Sequence, residues 1–436
     1  MTRHPRIASA LRSRGSTLRQ QTFASLANRN YRRFFLGQSL SLVGTWMQSV
    51  AQSWLVLQLT GSGTMLGAVV AIQTVPVLLL APYGGLVVDR ANKRRVLIGT
   101  QTTLALLALA LGLLTLTHLV QLWMVMVIAA GLGLANSLDN PARQAFVPEM
   151  VGTEAVGNAV TLNSVMTNAA RAVGPAVAGV LIVSAGVSGC FLVNAASFLA
   201  VLVALATMNP AELHPAAQAA HRPGQVMEGL RYVSRTPRLL TPLLMMALIG
   251  ALSYEFQVVL PLLARRTFNG NADAYGFLTS AFGAGAVVGG LVVAGRRPRG
   301  LRAVALAAAA FGSTLLVAAV APTLGIELVA LAFVGAASVA FMSRGNTTLQ
   351  LTVADSMRGR VMALWAVAFI GTTPIGGPII GYISQDAGPR WGLATGGFAA
   401  LLATALAVFP HLRRLSVAHH LPAPGSDQLP PGAGPI

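Results

Sequence analysis

Twelve apolar stretches of 18 to 26 residues dominate this chain of 436 residues. A helix needs about 20 consecutive apolar residues to cross the roughly 30 Å hydrocarbon core of a bilayer. The stretches therefore predict an all-α integral membrane fold with twelve transmembrane helices. They lie near residues 35–59, 65–88, 96–116, 119–138, 159–183, 190–208, 239–264, 275–295, 301–321, 326–343, 361–383 and 391–411.

The composition agrees with that prediction and excludes an ordinary soluble protein. Only 10% of the residues are charged, 54% are hydrophobic and the mean hydropathy is +0.67, whereas charged residues make up about 25% of a soluble domain. We therefore expect a multi-pass protein of a cell's inner (plasma) membrane.

Two short motifs recur at nearly the same distance along the chain. The five residues Gly-Gly-Leu-Val-Val at 84–88 reappear at 289–293, and Gly-Pro at 174–175 reappears at 377–378. Repetition at a fixed offset indicates homologous halves. We expect two pseudo-symmetric six-helix bundles at 31–208 and 239–412, with a basic tail at 1–30, a cytoplasmic connector with an amphipathic helix at 209–238 and a tail at 413–436.

The basic residues predict the orientation of the helices. With the N-terminus in the cytoplasm, 26 of the 30 Lys and Arg residues lie on the cytoplasmic side, three lie outside, and Arg171 lies inside a predicted span. This is the positive-inside distribution, so both termini should be cytoplasmic. The net charge of +18 is then explained by topology and attraction to anionic lipid, and we expect no nucleic-acid partner.

The chain offers little for covalent chemistry. Its only lysine, Lys93, follows no Gly-x-x-x-x-Gly sequence, so a nucleotide-binding P-loop is absent from the sequence. Cys190 is alone, and the seven histidines fall in loops, tails or at span ends. We expect no enzyme activity, no cofactor and no metal site.

Two charged residues lie inside predicted spans. Arg171 is the only basic residue in a span, and Glu255 is the only acid near the middle of one. A charge at that depth costs about 3 kcal/mol, so it normally faces a cavity or a partner. Either Glu255 carries a coupling proton with Arg171 as its counter-ion or as a contact for an anionic substrate, or the two form a static ion pair.

Small residues gather in the stretches that correspond between the halves. Two bundles that rock against each other need close packing and bending at their seam, although small residues serve any packing of membrane helices. We expect helix bends where proline follows glycine. The residues are Gly174, Pro175, Ala176, Ala178 and Gly179; Gly283, Gly285, Gly289 and Gly290; and Gly371, Gly376, Gly377, Pro378 and Gly381.

The loop after the second stretch resembles the cytoplasmic signature of the major facilitator superfamily. It reads Gly85-x-x-x-Asp89-Arg90-x-x-Lys93-Arg94, with Val87, Asn92 and Lys93 departing from the usual residues. The resemblance implies a twelve-helix transporter in which this loop forms a cytoplasmic charge latch, with Asp139 as a partner. The alternative is that the basic residues only hold the loop in the cytoplasm.

Two further segments narrow the resemblance to one branch of the superfamily. Residues 139–149 and 358–364 are similar to the branch that contains the enterobactin exporter and the macrolide and tetracycline efflux proteins. The resemblance implies proton-coupled efflux of a drug-like or siderophore-like small molecule by a protein that we expect to be monomeric. A uniporter or importer of a metabolite, or a receptor that does not transport, remains the alternative.

Several polar or aromatic residues inside the predicted spans are candidates for the wall of a substrate cavity. Such side chains suit a large amphipathic ligand, but hydrogen bonds between helices would explain them as well. Asp139 is a second candidate for proton coupling. The cavity candidates are Gln48, Gln52, Trp54, Asn163, Asn168 and Gln257.

Overall fold

The computed structural model describes residues 24–214, 225–294, 300–354 and 357–419, without the side chains of residues 81, 82, 84–86, 89, 225, 226, 294 and 409–419. This part of the chain is helical and has no β-strand. Two short 3₁₀ helices lie at Ala24–Ala27 and Pro210–Glu212. The α-helices are α1 (Arg29–Thr60), α2 (Gly63–Arg90), α3 (Lys93–Leu116), α4 (Leu122–Ala206), α5 (Gln225–Ser234), α6 (Pro237–Ser253), α7 (Phe256–Leu262), α8 (Ala272–Ala294), α9 (Leu301–Ala319), α10 (Leu324–Thr352), α11 (Arg358–Ile370), α12 (Thr373–Asp386) and α13 (Pro389–His419).

The long helix α4 is interrupted by two glycines. Gly152 has φ 72° and Gly186 has φ 74°, a region that a residue with a Cβ adopts only with strain. These breaks divide α4 into segments at 122–151, 153–185 and 187–206. The three segments coincide with the fourth, fifth and sixth apolar stretches of the sequence.

Nine helical segments of the described chain are long and apolar enough to cross a membrane. The whole of α4 is one of them, and α6, α7 and the π-helical turn Leu263–Thr267 together form another. The 32-residue α1 is not among the nine, because polar residues such as Gln38, Gln48 and Gln52 lower its hydropathy. The chain is therefore a multi-span membrane protein.

The helices pack in two sets, α1–α4 (the first set) and α6–α13 (the second set), which meet along two seams. Helices α1, α2 and α3 pack on α4, while α8 and α9 pack on α10, and α6 and α9 pack on α13. Between the sets, the main contacts join α4 to α8 and α2 to α12. Arg171 lies beside the first of these seams and Glu255 lies beside the second.

Contacts of named residues identify the two ends of the first set. At one end, the Tyr31 hydroxyl donates to the Ala159 carbonyl at 3.1 Å, and Lys93 forms an ion pair with Glu149 at 2.7 Å. At the opposite end, Gly61 ends α1 with φ 63°, and the Ser62 hydroxyl caps α2 by accepting from the Met65 amide at 3.2 Å.

The expectation that Arg171 is the only basic residue in a span was wrong, and a buried acid lies at the start of another span. Helix α10 continues to Thr352, beyond the predicted end at 343, so Arg344 also lies within a candidate span and its Nε is buried. Glu327, in the first turn of α10, is 0% exposed. Arg171 and Glu255 are therefore not the only charged residues inside the helices.

Candidate functional site

A cavity of about 280 Å³ lies midway along the helices and is bounded by both sets. Six of the 17 residues that line it are aromatic, whereas aromatic residues make up 6% of the chain. Arg171 and Glu255 are the only charged residues among them. Such a site suits a ligand with an apolar body and a few polar groups. The aromatic residues are Trp46, Tyr254, Phe256, Tyr275, Phe282 and Phe369.

Glu255 reaches the cavity because a helix is broken at this residue. Helix α6 ends at Ser253 and α7 begins at Phe256, and the Glu255 backbone between them has φ −82° and ψ 41°. Its carbonyl accepts from the Val258 and Val259 amides at 3.0 and 3.1 Å. The side chain is 4% exposed, and its Oε1 accepts no hydrogen bond from the protein.

A second helix break, between α11 and α12, lies next to Glu255. Helix α11 ends at Ile370 and α12 begins at Thr373, and Thr373 lies beside the Glu255 carboxylate. Gly250 of α6 packs on the Ala368 carbonyl, which brings the two broken helices together. Broken helices at membrane depth are a common way to build a substrate or ion site in transporters.

Arg171 enters the cavity from the first set of helices. Its Cζ lies 4.9 Å from the centroid of the Trp46 ring, a cation–π contact. The buried Nε has no hydrogen-bond acceptor in the protein. The guanidinium therefore packs on an aromatic face while its Nε–H remains free to donate to another molecule.

Arg171 and Glu255 share the cavity but do not pair. No ion pair of 4.0 Å or less joins them, although both side chains are within the described chain. The structure brings together the two charges that the sequence singled out and leaves each of them available to another molecule.

Both seams contain close contacts towards the end of the molecule that contains residues 61–64. A Cβ added to Gly67 of α2 would overlap the backbone carbonyl of Gly377 in α12, and one added to Gly63 would meet the Gly381 carbonyl. In the other seam, a Cβ on Gly276 of α8 would meet the Pro175 carbonyl. Helix backbones are therefore in contact across both seams.

Hydrogen bonds close the same end, which we call the sealed end, formed by residues 61–64, Arg265, Arg266 and Gln385. Arg266 donates to the carbonyls of Gln385 at 2.8 Å and Gly61 at 2.9 Å. Arg265 donates to the Leu57 carbonyl at 2.7 Å, and the Ser62 hydroxyl donates to Gln385 Oε1 at 2.6 Å. Three of these bonds join residues more than 200 positions apart, and the bond from Arg266 to Gln385 spans 119 positions.

The glycines predicted at the seam make two kinds of contact, with the other set of helices or within their own set. A Cβ on Gly283 would meet the backbone of Arg171 and Ala172 in the other set, whereas Gly285 and Gly289 pack on α10 of their own set. The helix runs through Pro175 with breaks only at Gly152 and Gly186, and Pro378 lies inside α12. Neither helix is interrupted at its proline, and the bends predicted at Gly174, Pro175, Gly377 and Pro378 stay a prediction.

The basic residues of the predicted latch make contacts within the first set of helices. Lys93 pairs with Glu149, and Arg94 donates to the carbonyls of Leu205 at 2.7 Å and Ala206 at 3.0 Å. Arg90 is exposed. The side chain of Asp89 and the surroundings of Gly85 lie outside what the structure describes, so the latch stays a prediction.

Asp139 is buried, but away from the cavity. Its Oδ1 accepts from Thr100 Oγ1 at 2.7 Å and from Gln101 Nε2 at 2.8 Å. Its Oδ2 lies 3.9 Å from a guanidinium nitrogen of Arg143. A carboxylate with these partners is well satisfied, which favours a structural role over proton exchange with a substrate.

Of the six residues predicted for the cavity wall, only Gln257 lines the cavity. Gln48 accepts from Asn194 at 2.6 Å, and Gln52 donates to Gln73 at 3.0 Å beside a much smaller polar pocket. Trp54 stacks on Tyr275 with a centroid distance of 6.5 Å. Neither Asn163 nor Asn168 is among the lining residues, and Asn168 donates within its own helix to Ser164.

The sequence analysis missed most of the cavity's aromatic wall. Trp46, Tyr275 and Phe369 come from three helices that are far apart in sequence, and aromatic residues inside apolar stretches look like ordinary core. Glu327 was also missed, because it lies at the start of an apolar stretch. Neither of its carboxylate oxygens has a hydrogen-bond partner in the described chain, and Arg390 is the nearby cation.

Comparison with known proteins identifies relatives along most of the chain. It is 26% identical to the staphyloferrin A transporter of Staphylococcus aureus over 76% of this chain and 84% of the relative. Identity to the multidrug efflux pump Tap of Mycolicibacterium fortuitum is 27%, over 86% and 94%. Identity to the enterobactin exporter EntS of Shigella boydii is 24%, over 88% and 92%. These relatives are transporters, not enzymes.

A solved structure has a similar fold. A bacterial homologue of the human lysosomal transporter Spinster, in an inward-facing and unoccupied conformation, superposes with a TM-score of 0.68 at 14% identity, covering 91% of this chain and 98% of that one. This structure shows the fold, whereas the family match and the exporters named above confirm the resemblance to the superfamily and to its exporter branch. Residues 20–435 match the transmembrane secretion effector family model, and the chain belongs to this family of major facilitator transporters.

Proposed function

We propose that this protein exports a small molecule in exchange for protons, by alternating access around the cavity between the two sets of helices. The observation that carries the proposal is the unpaired Glu255 carboxylate, which is buried at a helix break and faces that cavity. A buried carboxyl that has no ion-pair partner can gain or lose a proton as a charged ligand leaves or enters. The cavity thereby links substrate binding to proton binding.

Twelve spans in two bundles of six are the architecture that we propose for alternating access. The breaks at Gly152 and Gly186 divide one candidate span into three, and α1 supplies another of sufficient length. Six spans then precede α5 and six follow it. The first set of helices forms one bundle at 31–208 and the second set forms the other at 239–412, around a site at their interface.

Charge and packing together support an inward-facing conformation in a plasma membrane. The sealed end carries Arg265 and Arg266, whereas most of the Lys and Arg residues in the described part of the chain lie at the opposite end, and basic residues favour the cytoplasm. Gly157 and Gly359, near that opposite end, have no heavy atom within 4 Å of an added Cβ. On this basis the cavity opens towards the cytoplasm, where an exporter collects its substrate.

The relatives suggest the kind of molecule that is moved. Two of them carry siderophore names and one is a multidrug pump, and the aromatic cavity suits an amphipathic molecule of moderate size. We therefore propose a drug-like or siderophore-like substrate. Transport requires no cofactor in this scheme, and a monomer contains the complete cavity.

The proposal is tested by efflux of a panel of fluorescent siderophore-like and drug-like compounds from cells that express the protein. We expect efflux of at least one compound, and we expect a protonophore to reduce it to the level of cells with an empty vector. Efflux that continues unchanged with the protonophore would contradict proton coupling. Movement that only equalises the two sides would indicate a uniporter.

The sealed end provides a second test, of alternating access. Arg266→Ala removes a charge-assisted hydrogen bond between the sets, from Arg266 to the Gly61 carbonyl, worth about 1.5 kcal/mol or more. It also removes the bond to the Gln385 carbonyl within the second set. We expect the ratio of outward-open to inward-open protein to rise about tenfold or more. Thr74 lines the cavity. An impermeant thiol reagent added outside should then label a cysteine at Thr74, in a Cys190→Ala background, faster than in the same background with Arg266 intact.

A matched control uses a third arginine near this end, Arg390. Arg390 donates to the Ala321 carbonyl at 2.7 Å, within the second set of helices, so Arg390→Ala should leave labelling at Thr74 near the parental rate. Equal labelling in all three proteins would show that the Arg266 bonds do not hold the sealed end closed.

A further inference from the structure

The cavity contains one positive and one negative side chain that are not paired with each other. Arg171 lies against the Trp46 ring with its Nε lacking an acceptor, and Glu255 Oε1 lacks a donor. Charges without an ion-pair partner are costly at membrane depth. A pair that served only stability would be expected to close into an ion pair, and this one does not.

The remaining wall does not neutralise either charge. The other described lining residues are apolar, aromatic or neutral polar, and the nearby Tyr254 hydroxyl donates to the Ser338 carbonyl at 2.9 Å. A ligand with a single charge would satisfy one of the two groups and leave the other without a partner. A ligand with both charges would satisfy both.

We propose that the transported molecule is a zwitterion with an aromatic or apolar body. Its anionic group binds the Arg171 guanidinium, its protonated amine binds the Glu255 carboxylate, and its body packs on the aromatic wall. This inference rests on the proposed function, because it names the substrate class of the same cavity.

Proton exchange requires the amine in particular. In an exporter that trades substrate for protons, substrate and proton must exclude each other from the same group. A protonated amine competes with a proton for Glu255, because each neutralises the carboxylate. An anion without an amine would instead bind best when Glu255 is protonated, so that proton and substrate would travel in the same direction.

The acid of the substrate has a separate role at Arg171. A guanidinium stays charged at every physiological pH, so this interaction favours substrates with an anionic group without contributing to proton exchange. The two ends of the zwitterion therefore have different functions, with the amine coupling transport to protons and the acid conferring selectivity.

Three probes built on one fluorescent coumarin test the inference. The first carries a primary amine and a carboxylate, the second is its methyl ester, and the third is its N-acetyl derivative. We expect purified protein in nanodiscs to bind the zwitterion about tenfold or more tightly than either derivative, since each derivative loses a charge-assisted hydrogen bond. Quenching of tryptophan fluorescence reports binding, because Trp46 lines the cavity.

Two variants test which charged group of the probe binds Arg171 and which binds Glu255. Arg171→Gln should remove the preference for the zwitterion over the ester while retaining the preference over the N-acetyl derivative, and Glu255→Gln should do the reverse. Arg231→Gln, at an exposed residue outside the cavity, should retain both preferences. The comparison of probes on the unmodified protein stands even where a variant fails to fold.

The outcomes separate this inference from the proposed function. Equal or tighter binding of the ester or of the N-acetyl derivative by the unmodified protein would overturn the zwitterion, even with proton-driven efflux of other compounds. Failure to bind any of the three probes would overturn it as well. A zwitterion preference without any effect of a protonophore on efflux would support the binding assignment and contradict proton exchange.

Discussion

Replacing Glu255 with glutamine is expected to abolish transport driven by a pH gradient. The amide has nearly the shape of the protonated acid but cannot release a proton, so the exchange of substrate for proton has no carrier. Accumulation of substrate in inside-out vesicles under a pH gradient should fall to the background of empty vesicles. Downhill exchange of labelled for unlabelled substrate should continue at high substrate concentration, because that exchange needs no proton.

The same variant separates coupling from structural support. Because Glu255 makes no ion pair with Arg171, we expect Glu255→Gln to fold, and we expect adding Arg171→Gln not to restore any lost thermal stability. Glu154→Gln is the control, since this glutamate is exposed and lies outside the cavity. Proton-driven accumulation at the normal rate in folded Glu255→Gln protein would exclude Glu255 as the coupling group and direct attention to Glu327 and Asp139.

A single methyl group at Gly67 is expected to prevent the sealed end from closing. In Gly67→Ala the new Cβ would overlap the backbone carbonyl of Gly377, and a backbone atom in a packed helix has no rotamer by which to move away. Overpacking of this kind costs about 1–3 kcal/mol. Here it raises the free energy of the closed state alone, because the two helices are in contact only in that state. The protein should therefore favour the outward-open state, with export reduced by about tenfold or more.

The control is a second glycine in the same set of helices. A Cβ at Gly99 of α3 would meet no heavy atom within 4 Å, so Gly99→Ala should transport normally and raise helix stability by about 0.5–1 kcal/mol. Transport and outside labelling of a cysteine at Thr74 should differ between the two variants. Normal export by Gly67→Ala would show that the α2–α12 contact is not needed for transport.

Apolar length and charge placement were readable from the sequence because they are local properties. The approximate positions of the helices follow from runs that match a bilayer's thickness. The break between α6 and α7 lies within one such run, so hydropathy alone did not reveal it. Arg171 and Glu255 could be recognised as site residues because a charge within an apolar run is conspicuous and costly.

The sequence could also identify the family, since the motif around residues 85–94 and the segments at 139–149 and 358–364 are short and continuous. It could not distinguish Gln257, which lines the cavity, from Gln48, whose amide oxygen is occupied by Asn194. The face that each residue presents depends on how its helix is rotated against neighbours from distant parts of the chain.

The sequence by itself thus determined the helical membrane class, the family and the two charges of the site. Only the tertiary structure decided that these charges stay apart, that Trp46 and Tyr275 share their cavity, and that Arg266 and Gln385 close one end. The physical reason is that insertion into a bilayer depends on each segment's own composition, whereas a cavity and a seal are formed between segments that are far apart in sequence.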